Sequence, residues 1–112
     1  MIQAKDMADK NGVLFNQHQS YQMSDVENDD QRFGRHPFVH YEELGLLGEN
    51  CTFSHVNTVR DDEISPILEN NVSIVWCPIA SMLFGIGGTI RGRHLELYRL
   101  GVNVALGCDS AN

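Results

Sequence analysis

Two histidines and one aspartate, His18, His55 and Asp109, each stand at the end of a short, largely apolar run of this chain. Imidazole nitrogens combined with a carboxylate oxygen form a ligand set that suits zinc or iron. A metal held in this way lowers the pKa of a bound water to about 7, which creates a hydroxide nucleophile. Taken singly, either histidine could be a core residue bonded to a carbonyl group, and the aspartate could cap a helix. The repeated pattern predicts a metal site shared by several strands.

The apolar runs themselves are typical of buried parallel β-strands. We predict four strands, over residues 12–17, 51–55, 72–76 and 102–107. Enzymes built on α/β barrels keep their chemistry at the carboxyl ends of such strands. The three candidate ligands therefore follow three strands that should open onto the same side of one sheet.

Helical patterns alternate with the predicted strands. The elements predicted between them are a helix ending at Gly12, a solvated loop or exposed helix face over 19–35, a helix opened by Pro37, a helix following the capping-box spacing Thr58–Asp61, a glycine-rich loop over 78–92 and a helix over 93–100. Pro66 should delay or kink the fourth of these elements. Alternation with intervals of about 30 residues predicts an α/β fold, with a parallel sheet covered by helices.

The composition excludes several classes of partner. Eight lysines and arginines against fifteen aspartates and glutamates give a net charge of −7, which argues against binding to nucleic acid or to an anionic membrane. The longest apolar stretch, residues 73–88, is interrupted by proline and glycine and is shorter than the ~20 residues that span a bilayer. Three cysteines without a CxxC pair, and no secretion signal, favour a soluble protein of the reducing cytoplasm.

The remaining histidines and the glycine run carry weaker signals. His36, His40 and His94 lie at or within predicted helices, where surface or packing roles are the simpler interpretation. Cys51 and Cys77 lie at strand ends, where a free cysteine is usually a small buried hydrophobe. The run Gly85–Gly88 is not a GxGxxG motif and follows a loop, so it does not predict a phosphate site.

Several segments together resemble the second half of the amidohydrolase superfamily, with the cytosine deaminase and triazine or chlorohydrolase-like branch as the most similar. The segments are Phe53–Asn57, Asp62–Ile64, Val75–Pro78 and Gly101–Ser110. They occur in the family's order with plausible spacing, and the resemblance covers nearly the whole chain. The ending Gly-Val-x-Val-Ala-Leu-Gly-x-Asp, with an upstream Cys-Pro, is the most specific part.

This resemblance implies a single partial domain over residues 1–112, which contributes the fifth to eighth strands of a (β/α)8 barrel. His18 then resembles the fifth-strand metal ligand, and His55 the sixth-strand histidine that faces substrate or metal. Asp109 resembles the eighth-strand aspartate, which binds the metal and accepts a proton from its water. The implied cofactor is a divalent metal, zinc or alternatively iron. The implied reaction is hydrolysis of a C–N or C–Cl bond of a heterocyclic small molecule.

Two departures from the family pattern bear on activity. The first-strand His-x-His pair of the family does not occur in this sequence, and Tyr21 stands where a proton-shuttling carboxylate is often found. We therefore expect a piece of a larger barrel that is inactive alone and that self-associates or binds the missing barrel half. Two other functions remain open: a non-catalytic half-barrel that pairs with another chain, and a small ligand-binding module of flavodoxin-like order.

Overall fold

A computed structural model describes residues 1–86 and 92–109 of the chain. In chain order the elements are α1 (Ile2–Asn11), β1 (Phe15–Gln19), α2 (Met23–Phe33), α3 (Pro37–Glu43), β2 (Cys51–His55), a 3-10 turn (Asp61–Glu63), α4 (Ile64–Glu69), β3 (Ser73–Trp76), α5 (Pro78–Leu83), α6 (His94–Leu100) and β4 (Asn103–Leu106). Within the described ranges, no helix combines the length and apolar character needed to cross a membrane.

The four strands form one parallel sheet in the order β1-β2-β3-β4. This confirms the predicted α/β class and the predicted neighbour relations. The first strand was misplaced, because it covers residues 15–19 rather than 12–17. Gly12 ends α1 in a left-handed conformation and Val13 still donates its N–H to the Ala8 carbonyl, so pairing starts only at Phe15. His18 consequently lies within β1 and not after it.

The two faces of the sheet differ in chemistry. One face carries the buried side chains of Phe15, Cys51, Phe53 and Ile74, which pack beneath the helices. Phe53 lies at the centre of this core, with ring centroids 5.1 Å from Phe38 and 6.2 Å from Phe15. Burial of aromatic and aliphatic side chains is the main stabilising contribution of such a layer.

The opposite face carries polar or small side chains in rows across the strands. The strand register aligns Asn16, Thr52, Ser73 and Asn103 in one row. It aligns His18, Ser54, Val75 and Ala105 in the next, nearer the carboxyl ends of the strands. None of these side chains is fully buried. The second of these rows contains His18, one of the candidate ligands.

Two helical predictions were wrong. Residues 78–83 form α5 where a loop was predicted, because Pro78 at the first helical position is preset for a helix and needs no N–H partner. Part of the predicted loop, residues 87–91, lies outside the described residues. The capping box lies at Arg60 and Glu63 and not at Thr58–Asp61.

Other helical predictions are confirmed by the structure. The segment 19–35 contains α2, with only Val26 fully buried, which matches the exposed-helix alternative. Pro66 stands in the first turn of α4, after the 3-10 turn, where its missing N–H costs nothing. Helices end or begin as predicted at Gly12, Pro37 and Gly101.

Glu63 is a buried carboxylate that joins α3 to the turn before α4. Its Oε1 accepts the Phe38 N–H at 3.1 Å and its Oε2 accepts the Arg60 N–H at 2.8 Å. Burial raises the pKa of this carboxyl group. Glu63→Gln replaces one acceptor oxygen by an NH2 group, which leaves a buried N–H unpaired. We expect it to lower the free energy of unfolding by about 1–3 kcal/mol in urea denaturation, whereas the exposed change Glu49→Gln should have no measurable effect.

Candidate metal centre

The structure brings His18, His55 and Asp109 together at the carboxyl end of the sheet. One ligand atom from each residue lies within 4.8 Å of the other two. The His18 and His55 ring centroids are 4.9 Å apart, and His55 Nε2 lies 3.3 Å from Asp109 Oδ2. Among the described residues, no other group of three or more histidine, cysteine, aspartate or glutamate side chains meets in this way.

The spacing of these three side chains fits a tetrahedral metal. Zinc binds histidine nitrogen and carboxylate oxygen at about 2.0–2.2 Å, so neighbouring ligand atoms lie roughly 3.4 Å apart. The His55–Asp109 separation of 3.3 Å already has this value, and all separations within the set are at most 4.8 Å. Nδ1 of His55 is buried and has no hydrogen-bond partner. Three protein ligands leave a fourth position for water, as catalytic zinc sites require.

The site is built from backbone in unusual conformations. Ser20, His55, Val56 and Asp109 all have positive φ, with values of 52°, 74°, 50° and 44°. A positive φ is rare for residues other than glycine, and for a β-branched valine it is a marked outlier. Such conformations cost of order 1–3 kcal/mol each and persist where surrounding contacts enforce them. All four residues lie at or just after the carboxyl ends of three strands, β1, β2 and β4.

Backbone hydrogen bonds between strand ends enforce these conformations. Val56 donates its N–H to Gln19 O and Asn57 donates its N–H to Ser20 O, both at 3.0 Å. The Asn57 side chain donates to Tyr21 O at 2.9 Å. The segment after β2 is therefore tied to the segment after β1, which fixes the relative positions of the two histidines.

Gly107 allows the chain after β4 to bring Asp109 to the site. Its N–H donates to Trp76 O at 2.8 Å, so it continues the ladder between β3 and β4. A Cβ at this position would lie 2.8 Å from Val75 Cγ1 and 3.1 Å from Cys77 Sγ, closer than side chains normally pack. The glycine of the Leu-Gly-x-Asp ending is thus required by close packing between strand ends.

The electrostatics of the site keep His55 neutral. Burial lowers the pKa of its imidazole, the nearby His18 lowers it further, and Asp109 opposes the shift. A neutral imidazole is the form that binds metals. Asp109 has a side chain that is 46% exposed, so its carboxylate remains in contact with solvent.

Aromatic side chains line the space beside the three candidate ligands. Tyr21 packs edge-on against His55, with ring centroids 4.6 Å apart, and against Phe84 at 6.4 Å. Together with the three candidate ligands these two residues line a cavity of about 330 Å³. The Tyr21 hydroxyl is buried without a hydrogen-bond partner. The cavity is therefore lined by two aromatic rings and by the three candidate ligands.

The other histidines have the packing and surface roles predicted from the sequence. His36 pairs with Asp62 on the surface, and His40 stacks on Phe33. His94 is buried and stacks on Trp76. The sequence interpretation missed that the His94 ring contacts the backbone of His55, because residues 39 positions apart show no mutual spacing signal.

The cysteines behave largely as predicted. Cys51 and Cys77 are buried, and burial raises the pKa of both thiols. Cys108 is exposed and precedes Asp109. The cysteines therefore add no further member to the cluster of candidate ligands.

Stability should fall as the pH is lowered through the histidine range. Burial lowers the pKa of His94 as well as that of His55 below the unfolded value of 6.5. Below this value the unfolded chain binds protons that the folded chain does not, so the histidine contribution is complete above about pH 6.5 and is lost as the pH falls through the folded pKa values. Urea unfolding at about pH 7.5 and about pH 5.5 measures the loss.

Glu63 acts in the opposite direction. Its raised pKa favours the folded state at low pH, and this contribution is lost as the pH rises above the unfolded value of 4.5 and through the folded pKa. The comparison of stability at the two pH values is therefore made in the Glu63→Gln variant, in which the opposing contribution of this carboxyl group is absent. A stability that does not change between the two pH values in that background would contradict neutral burial of the histidines.

Relatives of this chain are deaminases. No family model matches the chain. The chain is 32% identical over 108 residues to the 5-methylthioadenosine/S-adenosylhomocysteine deaminase of Thermococcus sibiricus, covering 96% of this chain and 24% of that protein. It is 30% identical over 105 residues to the 5'-deoxyadenosine deaminase of Methanothermobacter thermautotrophicus, covering 94% and 24%. The chain thus spans about a quarter of the length of these relatives.

Solved structures share the fold. An adenosine deaminase from Xanthomonas campestris with bound zinc superposes with a TM-score of 0.85 at 24% identity, over 96% of this chain and 24% of that one. Atrazine chlorohydrolase from Arthrobacter aurescens with zinc gives 0.79 at 20% identity, over 93% and 22%. Guanine deaminase from C. acetobutylicum with bound guanine gives 0.76 at 25% identity, over 92% and 25%.

The similarity in sequence and the similarity in fold identify the same group of proteins. The parallel strand order and the alternating helices fit a section of the fold of these solved structures. The resemblance to the amidohydrolase superfamily is therefore confirmed, and the chain is homologous to about a quarter of the length of its deaminases.

Proposed function

We propose that this chain is part of a metal-dependent hydrolase that deaminates a heterocyclic small molecule, with zinc held by His18, His55 and Asp109. The observation that carries the proposal is the convergence of these side chains from three separate strand ends, with ligand atoms within 4.8 Å of one another. Two histidines and one carboxylate form a ligand set found in catalytic zinc sites that keep a position open for water.

The residues around this position have complementary properties. When bound, the metal supplies a water whose pKa is lowered to about 7. The Asp109 carboxylate can accept the proton of that water and exchange it with solvent, since its side chain is half exposed. His55 is buried beside it, and its neutral imidazole is the form that binds a metal. The Tyr21 and Phe84 rings form an aromatic wall that suits a flat heterocycle.

The names of the relatives support an aminated purine as the substrate. Two of them are deaminases of methylthioadenosine, S-adenosylhomocysteine or deoxyadenosine, and a structural neighbour is a guanine deaminase with bound guanine. Hydrolytic deamination adds water across the C–N bond and releases ammonia. Tyr21 bears on the choice between deamination and dechlorination, because its hydroxyl group is a hydrogen-bond donor and acceptor and not a carboxylate base that could carry a proton to the leaving group. Dechlorination, which has a structural counterpart in the chlorohydrolase, is therefore the second reaction to assay.

A non-catalytic half-barrel that binds another chain is the alternative that the open sheet favours. In the described part of the chain, β1 and β4 each pair with one strand only. Leu106 of β4 is 74% exposed. Unpaired apolar edges promote association with other strands. Sedimentation over a range of concentrations measures this, and we expect self-association of the chain alone.

Zinc titration of the purified chain by calorimetry tests the metal centre. We expect saturable binding of one zinc ion per chain that is lost in His18→Ala, while the matched change His40→Ala, outside the centre, leaves it unchanged. Ammonia release from adenine nucleosides and chloride release from chlorotriazines are then assayed, and we expect neither from this chain alone. Absence of saturable zinc binding would contradict the metal centre. Turnover by a zinc-loaded monomer would contradict the interpretation as part of a larger hydrolase.

A further inference from the structure

His94 lies outside the three candidate ligands and contacts one of them through the backbone. Its Nε2 is 2.6 Å from the carbonyl oxygen of His55. Because a carbonyl only accepts, Nε2 carries the proton and donates it. The side chain is almost completely buried, with 2% of the residue exposed.

The accepted carbonyl belongs to the most unusual backbone of the site. His55 and Val56 follow each other with φ values of 74° and 50°. The peptide between them is held on the other side by Val56, which donates its N–H to Gln19 O at 3.0 Å. In this orientation of the peptide, the His55 imidazole lies beside His18 and Asp109. His94 and Gln19 thus hold the two polar groups of one peptide.

His94 itself is rigidly placed. Its ring stacks on Trp76 of β3 with centroids 4.9 Å apart and an interplanar angle of 11°. A Cβ on Gly92 would lie 2.4 Å from His94 Nδ1, so a glycine is needed for this packing. The ring is therefore close to both β3 and the segment before α6. A donor packed in this way can fix the position of the group it contacts.

We propose that His94 is a positioning residue of the metal centre, whose Nε2–H holds the His55 carbonyl and so directs the His55 imidazole toward His18 and Asp109. The inference rests on the proposed metal centre for its functional meaning. It goes beyond that proposal because His94 binds no metal and belongs to a different element, α6. Partners that orient a metal-binding histidine commonly change metal affinity by about 10–100-fold when they are removed.

Two substitutions of His94 distinguish the effect of its hydrogen-bond donor from the effect of its ring packing. His94→Phe keeps a flat ring against Trp76 but removes the donor, and we expect zinc affinity to fall about tenfold. His94→Gln restores a donor without the ring and should recover most of this loss. Leu97→Met, a core change on the same helix that keeps the His94 donor, is the matched control for a general loss of packing and should leave zinc affinity unchanged.

Nuclear magnetic resonance provides a reading that does not depend on zinc. Positive φ brings the amide and α-hydrogens of one residue close together, so His55 and Val56 should show strong intraresidue contacts in the native chain. We expect these contacts to weaken in His94→Phe and to persist in Leu97→Met.

The two readings distinguish the possible failures. Unchanged zinc affinity in folded His94→Phe, or an equal loss in Leu97→Met, would overturn the positioning role. If the native chain binds no zinc, the proposed metal centre fails, and the amide contacts still decide whether His94 holds the His55 backbone. If His94→Phe does not fold, His94→Gln is compared with Leu97→Met instead. A His94→Gln chain that loses the amide contacts of His55 and Val56 but binds zinc as tightly as Leu97→Met would also overturn the positioning role.

Discussion

Asp109→Asn is expected to lower zinc affinity by at least about a hundredfold, since loss of partners that only orient ligands already costs up to that amount. The amide keeps the shape of the side chain but removes the negative charge that faces the metal. Asp109 is half exposed, so the fold without zinc should change by no more than about 0.5 kcal/mol. Calorimetric titration and urea unfolding with and without zinc measure the two effects separately.

The stabilisation of the folded chain by bound zinc provides a second comparison between the native chain and Asp109→Asn. At a free zinc concentration of about 100 times the native Kd, the native chain should gain about 2.7 kcal/mol of stability, which Asp109→Asn should not gain at the same concentration. Asp62→Asn is the matched control, because Asp62 also pairs with a histidine, His36, but lies outside the centre. Equal stabilisation by zinc in the native chain and in Asp109→Asn would exclude Asp109 as a ligand.

Gly107→Ala is expected to destabilise the chain by about 1–3 kcal/mol, because the added methyl group overpacks a close strand contact. The new Cβ would lie 2.8 Å from Val75 Cγ1, and a β-branched side chain within a strand cannot easily move away. Displacement of residue 107 should also move Asp109 and weaken zinc binding. Urea denaturation and zinc calorimetry on the same samples measure both consequences.

A second glycine and a double substitution test the cause. Gly48 has ordinary contact distances around its missing Cβ, with Asn50 Oδ1 at 3.4 Å, so Gly48→Ala should change stability by no more than about 1 kcal/mol. Val75→Ala removes the methyl group that Gly107→Ala would contact. The double variant should therefore lose less stability than the sum of the single changes. Strict additivity would show that the close contact is not the reason for the glycine.

Much of the architecture followed from local patterns. Strands rich in valine, isoleucine and phenylalanine, separated by helical spacing and glycine or proline punctuation, indicated a parallel sheet with its strands in sequence order. Gly12, Pro37 and Gly101 marked helix ends correctly, because backbone preferences at glycine and proline are strong and local. The loop prediction over residues 78–83 was wrong because Pro78, whose fixed φ suits the first helical position, begins a helix before the glycines that follow.

The candidate ligands were also accessible to sequence reasoning. His55 and Asp109 stand at or just after strand ends, and parallel strands present their carboxyl ends on one side of a sheet. His18 was assigned to the same edge although β1 begins three residues later than predicted. The assignment tolerated this error because His18 lies one residue before the end of β1, about 3.3 Å along the strand from its last residue.

Contacts between distant segments required the folded chain. The positive φ of His55 and Val56 is set by Gln19 and His94, which approach from another strand and another helix. The contact of His94 with His55, the space that excludes a side chain at Gly107 and the burial that keeps His55 neutral all depend on packing in three dimensions. Residue type and spacing along the chain encode which groups can bind a metal, whereas their orientation and protonation arise from neighbours that local sequence patterns do not reveal.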